Sequence, residues 1–338
     1  MARRLPQRTD PFLPSDDMTI IYAFNGDADG LCALQQLRLD NPRAAKLVTG
    51  VKRDIKLLRR VDASAGDEVT VLDISLDQNR DDLMRLVDAG ASVRYFDHHH
   101  VGTLPQHPSF EPHIDESPDV CTGILVDRHL EGRHHAWAIV AAFGDNMPKV
   151  GRAMAASAGY DASTTAVLEQ LGVRLNYNAY GDTVSDLCFD PAALAEAMLS
   201  FSDPLEFAQR SPAYARLGAQ YDDDLRRART LTPRVDVRGA RLVVLPDEPW
   251  ARRAIGVLAN EFTRTHAECA IAILAPNAQG GFTVSLRVPP GRPVAADEFC
   301  LGYPTGGGRN AAAGINHLPI ADVDRLAAAF ETRFRVER

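Results

Sequence analysis

Six side chains in this sequence combine type and spacing in a way that could do chemistry: Asp27, Asp29, Asp73 and the run Asp97-His98-His99. Asp27 and Asp29 stand two apart in a polar turn, so both can project the same way. Carboxylates crowded together raise one another's pKa and resist ionising unless positive charge lies between them. A divalent cation is the simplest such charge. Oxygen-rich donors mixed with imidazole suit Mn2+ or Mg2+ better than thiolate-seeking metals, and the sequence has no CxxC pair.

These side chains meet only if the elements before them lie side by side. Residues 18–24 form a nearly unbroken apolar run, Thr19 apart, that ends in Asn25-Gly26-Asp27-Ala28-Asp29-Gly30; Leu31, Leu34 and Leu37 follow at helical spacing. That is strand, polar turn, helix. A second strand, 68–72, ends at Asp73, and the helix predicted over 77–89 carries Leu83, Leu86 and Val87 on one face, with Gly90 closing it. A third strand, 92–96, runs straight into Asp97. This alternation predicts an α/β fold with a parallel sheet covered by helices on both faces. Ligands of such open sheets bind outside the carboxyl ends of the strands, where all six side chains fall.

Further helices are predicted at 121–130, 135–143 and within 153–200. The charged stretch 203–229 reads as a solvated connecting helix. The pattern restarts with a strand at 242–245, a helix at 251–266 and strands at 269–274 and 282–288, which predicts a smaller α/β domain. The expected organisation is a flexible tail over 1–17, a first domain over 18–200, a helical linker over 201–238 and a second domain over 239–338.

Thirty-seven Lys and Arg against 45 Asp and Glu give a formal charge of −8, so there is no global basic footprint for long nucleic acid. A hydrophobic content of 45% excludes wholesale disorder. The longest apolar stretches, such as 267–276, fall short of the ~20 residues needed to cross a bilayer. The first 17 residues hold Arg3, Arg4, Arg8 and three prolines without an apolar segment, unlike a signal peptide. The five cysteines read as buried thiols of a cytoplasmic protein.

Asp27-Ala28-Asp29-Gly30, Val71-Leu72-Asp73, Asp97-His98-His99 and Phe143-Gly144-Asp145-Asn146 resemble the four ordered motifs of the DHH phosphoesterase superfamily. Val284-Ser285-Leu286-Arg287, followed by Gly306-Gly307-Gly308-Arg309 and Ala311-Ala312-Ala313-Gly314, is similar to the serine-arginine strand and GGGH loop of the accompanying DHHA1 domain. The likeness spans residues 18–338. It implies metal-dependent hydrolysis of phosphoester or phosphoanhydride bonds, as in RecJ exonucleases, NrnA-type nucleases of very short RNA, cyclic dinucleotide phosphodiesterases and exopolyphosphatases.

Carried over by residue, the resemblance implies that Asp73 bridges two ions, with Asp27 on the first and Asp29, His98 and Asp145 on the second. The ions would be Mn2+, with Mg2+ or Co2+ as substitutes. His99 would face the substrate phosphate and serve the departing group, and Asp97 would orient a histidine from behind. Many relatives have a His four residues before the first motif Asp, and RecJ types an Asp two before it, where this sequence has Ala23 and Asn25. The first ion therefore loses a strong ligand and Asn25 offers only a neutral carbonyl oxygen, which leaves one-ion chemistry open.

Thr122 stands where relatives often have a small hydroxyl residue near the phosphate, opening a helix; it is a candidate phosphate contact or a plain N-cap. The loop 177–182 is a base-stacking candidate, with a structural role favoured. In the second domain Arg287 and Arg309 would supply bidentate phosphate contacts, with Ser285 beside them. The glycines Gly306, Gly307 and Gly308 would let backbone N–H groups approach an anion ahead of a small-residue helix at 311–314. Relatives usually have His where this sequence has Arg309. Two compact domains and a negative charge favour a short oligonucleotide or small nucleotide, cleaved by metal-activated water. An exopolyphosphatase-like enzyme and a catalytically weakened nucleotide-binding protein are the alternatives, and a homodimer is compatible with either.

Overall fold

A computed structural model describes residues 18–337; the tail expected at 1–17 lies outside them. The chain begins with β1 (Ile20–Asn25), α1 (Ala28–Asp40), β2 (Lys46–Gly50), β3 (Glu68–Leu72), α2 (Leu76–Asp88), β4 (Ser92–Asp97) and β5 (Phe110–Ile114). Seven helices follow: α3 (Thr122–His129), α4 (His135–Gly144), α5 (Pro148–Ser157), α6 (Ala162–Tyr177), α7 (Pro191–Leu199), α8 (Pro204–Arg210) and α9 (Pro212–Arg229). The last part comprises β6 (Val235–Val237), β7 (Ala240–Val244), α10 (Pro249–Thr265), β8 (Ala270–Asn277), β9 (Gly281–Arg287), α11 (Ala296–Cys300), β10 (Gly306–Arg309), β11 (Ala312–Pro319) and α12 (Val323–Phe334).

The first sheet has the order β2-β1-β3-β4-β5 and is parallel throughout, as expected. Its three central strands are those whose carboxyl ends carry the motif residues. Strand alternation sorts their side chains. Ile21, Ala23, Val69, Val71, Val93 and Tyr95 pack with Leu83, Leu86 and Val87 of α2, whereas Tyr22, Phe24, Leu72 and Phe96 join the core formed by α1, α3 and α4. The second sheet has the order β10-β11-β9-β8-β7-β6, antiparallel except for the β7–β8 pair. Val284 and Leu286 enter a separate core with Leu326, Phe330 and Phe334 of α12.

The turn from β1 into α1 is tightly specified. Asp27 Oδ1 accepts hydrogen bonds from the backbone N–H groups of Asp29 (3.0 Å) and Gly30 (3.2 Å), capping α1. A Cβ at Gly30 would lie 2.1 Å from the Asn25 carbonyl oxygen, so no side chain fits there. Gly90 follows α2 with φ +92°, the left-handed conformation expected of its closing residue.

Two expectations are corrected. The stretch 203–229 is not a solvated connector. It forms α8 and α9, and Tyr214, Leu217, Leu225 and Ala228 are buried. Counting its charges hid the apolar stripe between them. The first core runs through this stripe into α10 and on to Val243, Ile271 and Ile273 of the second sheet. The segment 311–314 is likewise not a helix: Ala312 begins β11, which pairs with β10 in a hairpin. Pairing on both sides, with β10 and β9, overrides the high helix propensity of alanine. All five cysteines are free, and no described helix is long and apolar enough to cross a membrane.

Candidate metal centre

Because β1, β3 and β4 are neighbours, Asp27, Asp29, Asp73 and Asp97-His98-His99 share one rim. Asp145, at the end of α4, joins them. Asp73 adopts φ +58°, a left-handed conformation that Asp tolerates better than most residues, and its N–H donates to the Phe96 carbonyl at 3.0 Å.

His98 Nε2 lies 3.5 Å from Asp73 Oδ1, 3.8 Å from Asp145 Oδ2 and 3.9 Å from Asp29 Oδ2. These separations are too long for good hydrogen bonds. They are close to the separation of about 3.0 to 3.4 Å between neighbouring ligands of an ion bound at ~2.1 Å. Donor atoms of Asp73, His98 and His99 also lie within 4.8 Å of one another. Asp29 is held by the start of α3: its Oδ2 accepts from Thr122 N–H (2.8 Å) and its Oδ1 from Gly123 N–H (2.7 Å). A Cβ at Gly123 would lie 2.3 Å from that of Ala141, so glycine is what lets this turn approach.

The electrostatics ask for a cation. Burial, reinforced by Asp27 and Asp29, pushes the Asp73 carboxyl well above its ordinary range. Burial and the Asp29 charge lift Asp145 to about 6. Burial alone would discourage charge on His98, but the facing carboxylates outweigh it and raise its pKa to about 10. Positive charge at this point is therefore strongly favoured, and a divalent ion on neutral imidazole meets the same demand. The donor set fits an oxygen-preferring divalent ion.

Asp97 is fully buried, and its Oδ1 lies 2.7 Å from His99 Nδ1. Of the two histidines, His99 is thus the one it orients. The His99 ring remains half-exposed beside the cluster. Thr122 does not meet the expectation of a phosphate contact or of a cap. It is completely buried, its backbone N–H is taken by Asp29, and its Oγ1 lies 3.4 Å from Asp73 Oδ1; the N-cap is Cys121. Thr122 supports the carboxylates from below.

One residue escaped the sequence reading. Lys52, just beyond β2, forms an ion pair with Asp27 Oδ2. Burial opposes the Lys52 charge, but Asp27 overrides it and holds the ammonium well above its usual range. Lys52 obeys the same rule as the aspartates, a polar residue at the carboxyl end of a strand, but β2 itself was not recognised.

The second domain faces this rim unevenly. Arg309 lines a cavity of about 630 Å3 together with His98, Asp145 and Lys149. The cluster itself opens into a cavity of about 290 Å3, and a third of about 690 Å3, walled by Lys52, Arg53, Arg59 and Arg60, continues beyond it. Arg287 is otherwise engaged, donating to Asn260 Oδ1, Ser285 Oγ and the Leu286 carbonyl, each at 3.1 Å. Ser285 thereby positions Arg287. Gly306, Gly307 and Gly308 lie on β10 at the sheet edge. The loop 177–182 is structural: Tyr177 is fully buried, and Asp182 accepts from Ala278 N–H at 2.6 Å.

The architecture is a helix-flanked five-stranded parallel sheet joined to a second sheet domain, and solved structures share it. RecJ from Thermus thermophilus, solved in complex with Mn2+, has a similar fold at TM-score 0.60 and 20% identity, covering 93% of this chain and 51% of that one. The chain thus spans about half the length of that RecJ structure. Exonuclease RecJ bound to manganese is similar at TM-score 0.60 and 19% identity, over 94% of this chain and 90% of the other. The pGpG-specific phosphodiesterase PggH from Vibrio cholerae is similar at TM-score 0.59 and 17% identity, over 93% and 98%. No family model matches the sequence, and no curated protein does.

Proposed function

We propose that this chain is a divalent-metal-dependent phosphoesterase of the DHH/DHHA1 class, acting on short oligonucleotides or small nucleotides. The observation that carries this reading is the set of three carboxylates 3.5 to 3.9 Å from His98 Nε2. The manganese held by the RecJ structures of similar fold supports Mn2+ as the ion. When bound, a divalent ion supplies Lewis-acid polarisation of a phosphoryl oxygen and a more acidic water. Asp29, Asp73, His98 and Asp145 would hold it, and Thr122 and Gly123 keep Asp29 aimed.

The protein's own groups supply the rest. Asp97 holds the His99 ring by Nδ1, which leaves Nε2 free of the buried carboxylate and available to a substrate. From there His99 can donate a proton to the departing oxygen. Arg309 would pair with a phosphate on the far side of the scissile bond. Cavities of about 630 and 690 Å3 on either side of the centre suit one or two nucleotides each.

The test is a substrate panel with purified protein and Mn2+: linear dinucleotides, cyclic dinucleotides, a nucleoside bisphosphate and polyphosphate. Release of mononucleotides from linear dinucleotides is expected. Phosphate release from polyphosphate alone would overturn the substrate class, and inactivity on the whole panel would overturn the activity. In the same assay His99→Gln should lower kcat by about 10²- to 10⁴-fold, the usual worth of a general acid or base. The loss should shrink on a p-nitrophenyl ester, whose leaving group needs no proton. Arg309→Ala should raise KM by roughly tenfold or more with little change in kcat, consistent with a charged hydrogen bond worth about 1.5 to 3 kcal/mol.

A further inference from the structure

Besides the bridging Asp73, the two donors expected for a first ion, Asp27 and Asn25, already have partners. Asp27 Oδ1 caps α1, and its Oδ2 is ion-paired with Lys52. Asn25, the neutral residue where RecJ types carry an Asp, accepts the Asp27 N–H on its side-chain oxygen at 3.2 Å. Lys52 is not a surface lysine that happens to reach across. Its backbone N–H donates to the Ala179 carbonyl at 3.0 Å, its Nζ lies 3.5 Å from Asn176 Oδ1, and the Tyr180 ring centroid is 5.9 Å away. Only 29% of its side chain is exposed. The ammonium therefore stands among α6, the following loop and the Asp27 carboxylate. Among the described residues, no lysine or arginine pairs in this way with Asp29, Asp73 or Asp145, which face His98 instead.

We infer that the Lys52 ammonium takes the position of the first metal ion, so that the centre works with one divalent ion and one fixed cation. This rests on the phosphoesterase reading and deepens it. A divalent ion on Asp27 would face an ammonium within a few ångströms, and like-charge repulsion at that range opposes its binding. Asn25 returns no charge to offset it. The neighbouring four-ligand set makes no ion pair with this ammonium. A lysine also has a property no ion has: it cannot be lost to a chelator or exchanged for a competing metal.

The test counts ions. Metal-free full-length protein is titrated with Mn2+, with bound ion measured by calorimetry and native mass spectrometry and its state by electron paramagnetic resonance. Wild type should bind one Mn2+ per chain with an uncoupled, mononuclear spectrum, and Lys52→Arg should do the same. Asn25→Asp combined with Lys52→Ala, which supplies the missing carboxylate and removes the ammonium, should bind a second Mn2+ at least about tenfold more tightly than wild type and show exchange coupling. Lys52→Gln alone, the milder change, should gain measurable second-ion binding. Two tightly bound, coupled ions in wild type would overturn the inference and leave the phosphoesterase reading standing, as would a folded double variant that still binds one. A wild type that binds no Mn2+ would overturn both.

Discussion

Asp73→Ala should abolish hydrolysis, with kcat/KM falling at least about 10³-fold, while the protein remains folded. The magnitude follows from losing a proposed ligand that faces His98 at 3.5 Å: a bound divalent ion would supply several kcal/mol of charge stabilisation, and each 1.4 kcal/mol is about a factor of ten. The folding half of the expectation is the more diagnostic. Asp73 is buried beside Asp27 and Asp29, and its carboxyl is pushed far above the ordinary range by burial and by them. Removing it relieves repulsion in the metal-free state. Alanine is less at ease than Asp at φ +58°, which offsets part of that relief, so in the presence of EDTA the variant should unfold within about 1 to 2 kcal/mol of wild type, whereas Mn2+ should stabilise wild type only. Residual turnover above about a tenth of wild type, or a variant that fails to fold, would contradict this account.

Asp224→Ala should cost about 3 to 5 kcal/mol, the range for stripping one partner from a buried ion pair. Asp224 is fully buried in α9. Its carboxylate accepts from Arg253 Nε at 2.9 Å, Arg253 Nη2 at 3.2 Å and Gln220 Nε2 at 2.8 Å, and Tyr177 donates its hydroxyl to it. Arg253 belongs to α10 and Tyr177 to α6, so the network joins the two sheet domains. The substitution leaves a guanidinium, at 8% exposure, without its counter-charge. Asp224→Asn keeps the shape and should lose less. Urea denaturation reads both; a loss below about 1 kcal/mol for the alanine variant would show that the network carries no stability.

What the sequence made legible follows burial. β1, β3 and β4 lie in the middle of their sheet, covered on both faces, and show as compact apolar runs; β2 and β5 are its edges. Lys46-Leu-Val-Thr-Gly is brief and mixed, and Phe110-Glu-Pro-His-Ile carries a proline that only an edge strand accommodates. Neither shows the compact apolar run of a central strand, so no visible strand end marks Lys52. The motif aspartates and histidines were legible because turn residues directly after central strands have few positions available to them. Thr122 misled because the same backbone N–H groups that could have bound a phosphate are satisfied by Asp29, 93 residues away in sequence. In α9, Asp222, Asp223, Arg226 and Arg227 masked a buried face that only the spacing of Tyr214, Leu217, Leu225 and Ala228 betrays.

The apolar cluster that runs without interruption from the first sheet through α9 and α10 into the second has a kinetic meaning. Domains that share a core, and are stitched by Arg253 and Asp224 besides, do not swing apart as a hinged clamshell would. The gap between the cluster and Arg309 is then a caliper set by folding, not by substrate arrival. In the proposed phosphoesterase such a gauge would accept molecules by length: those spanning it would engage both jaws, longer ones would leave an end hanging in water, and turnover would not wait for a lid.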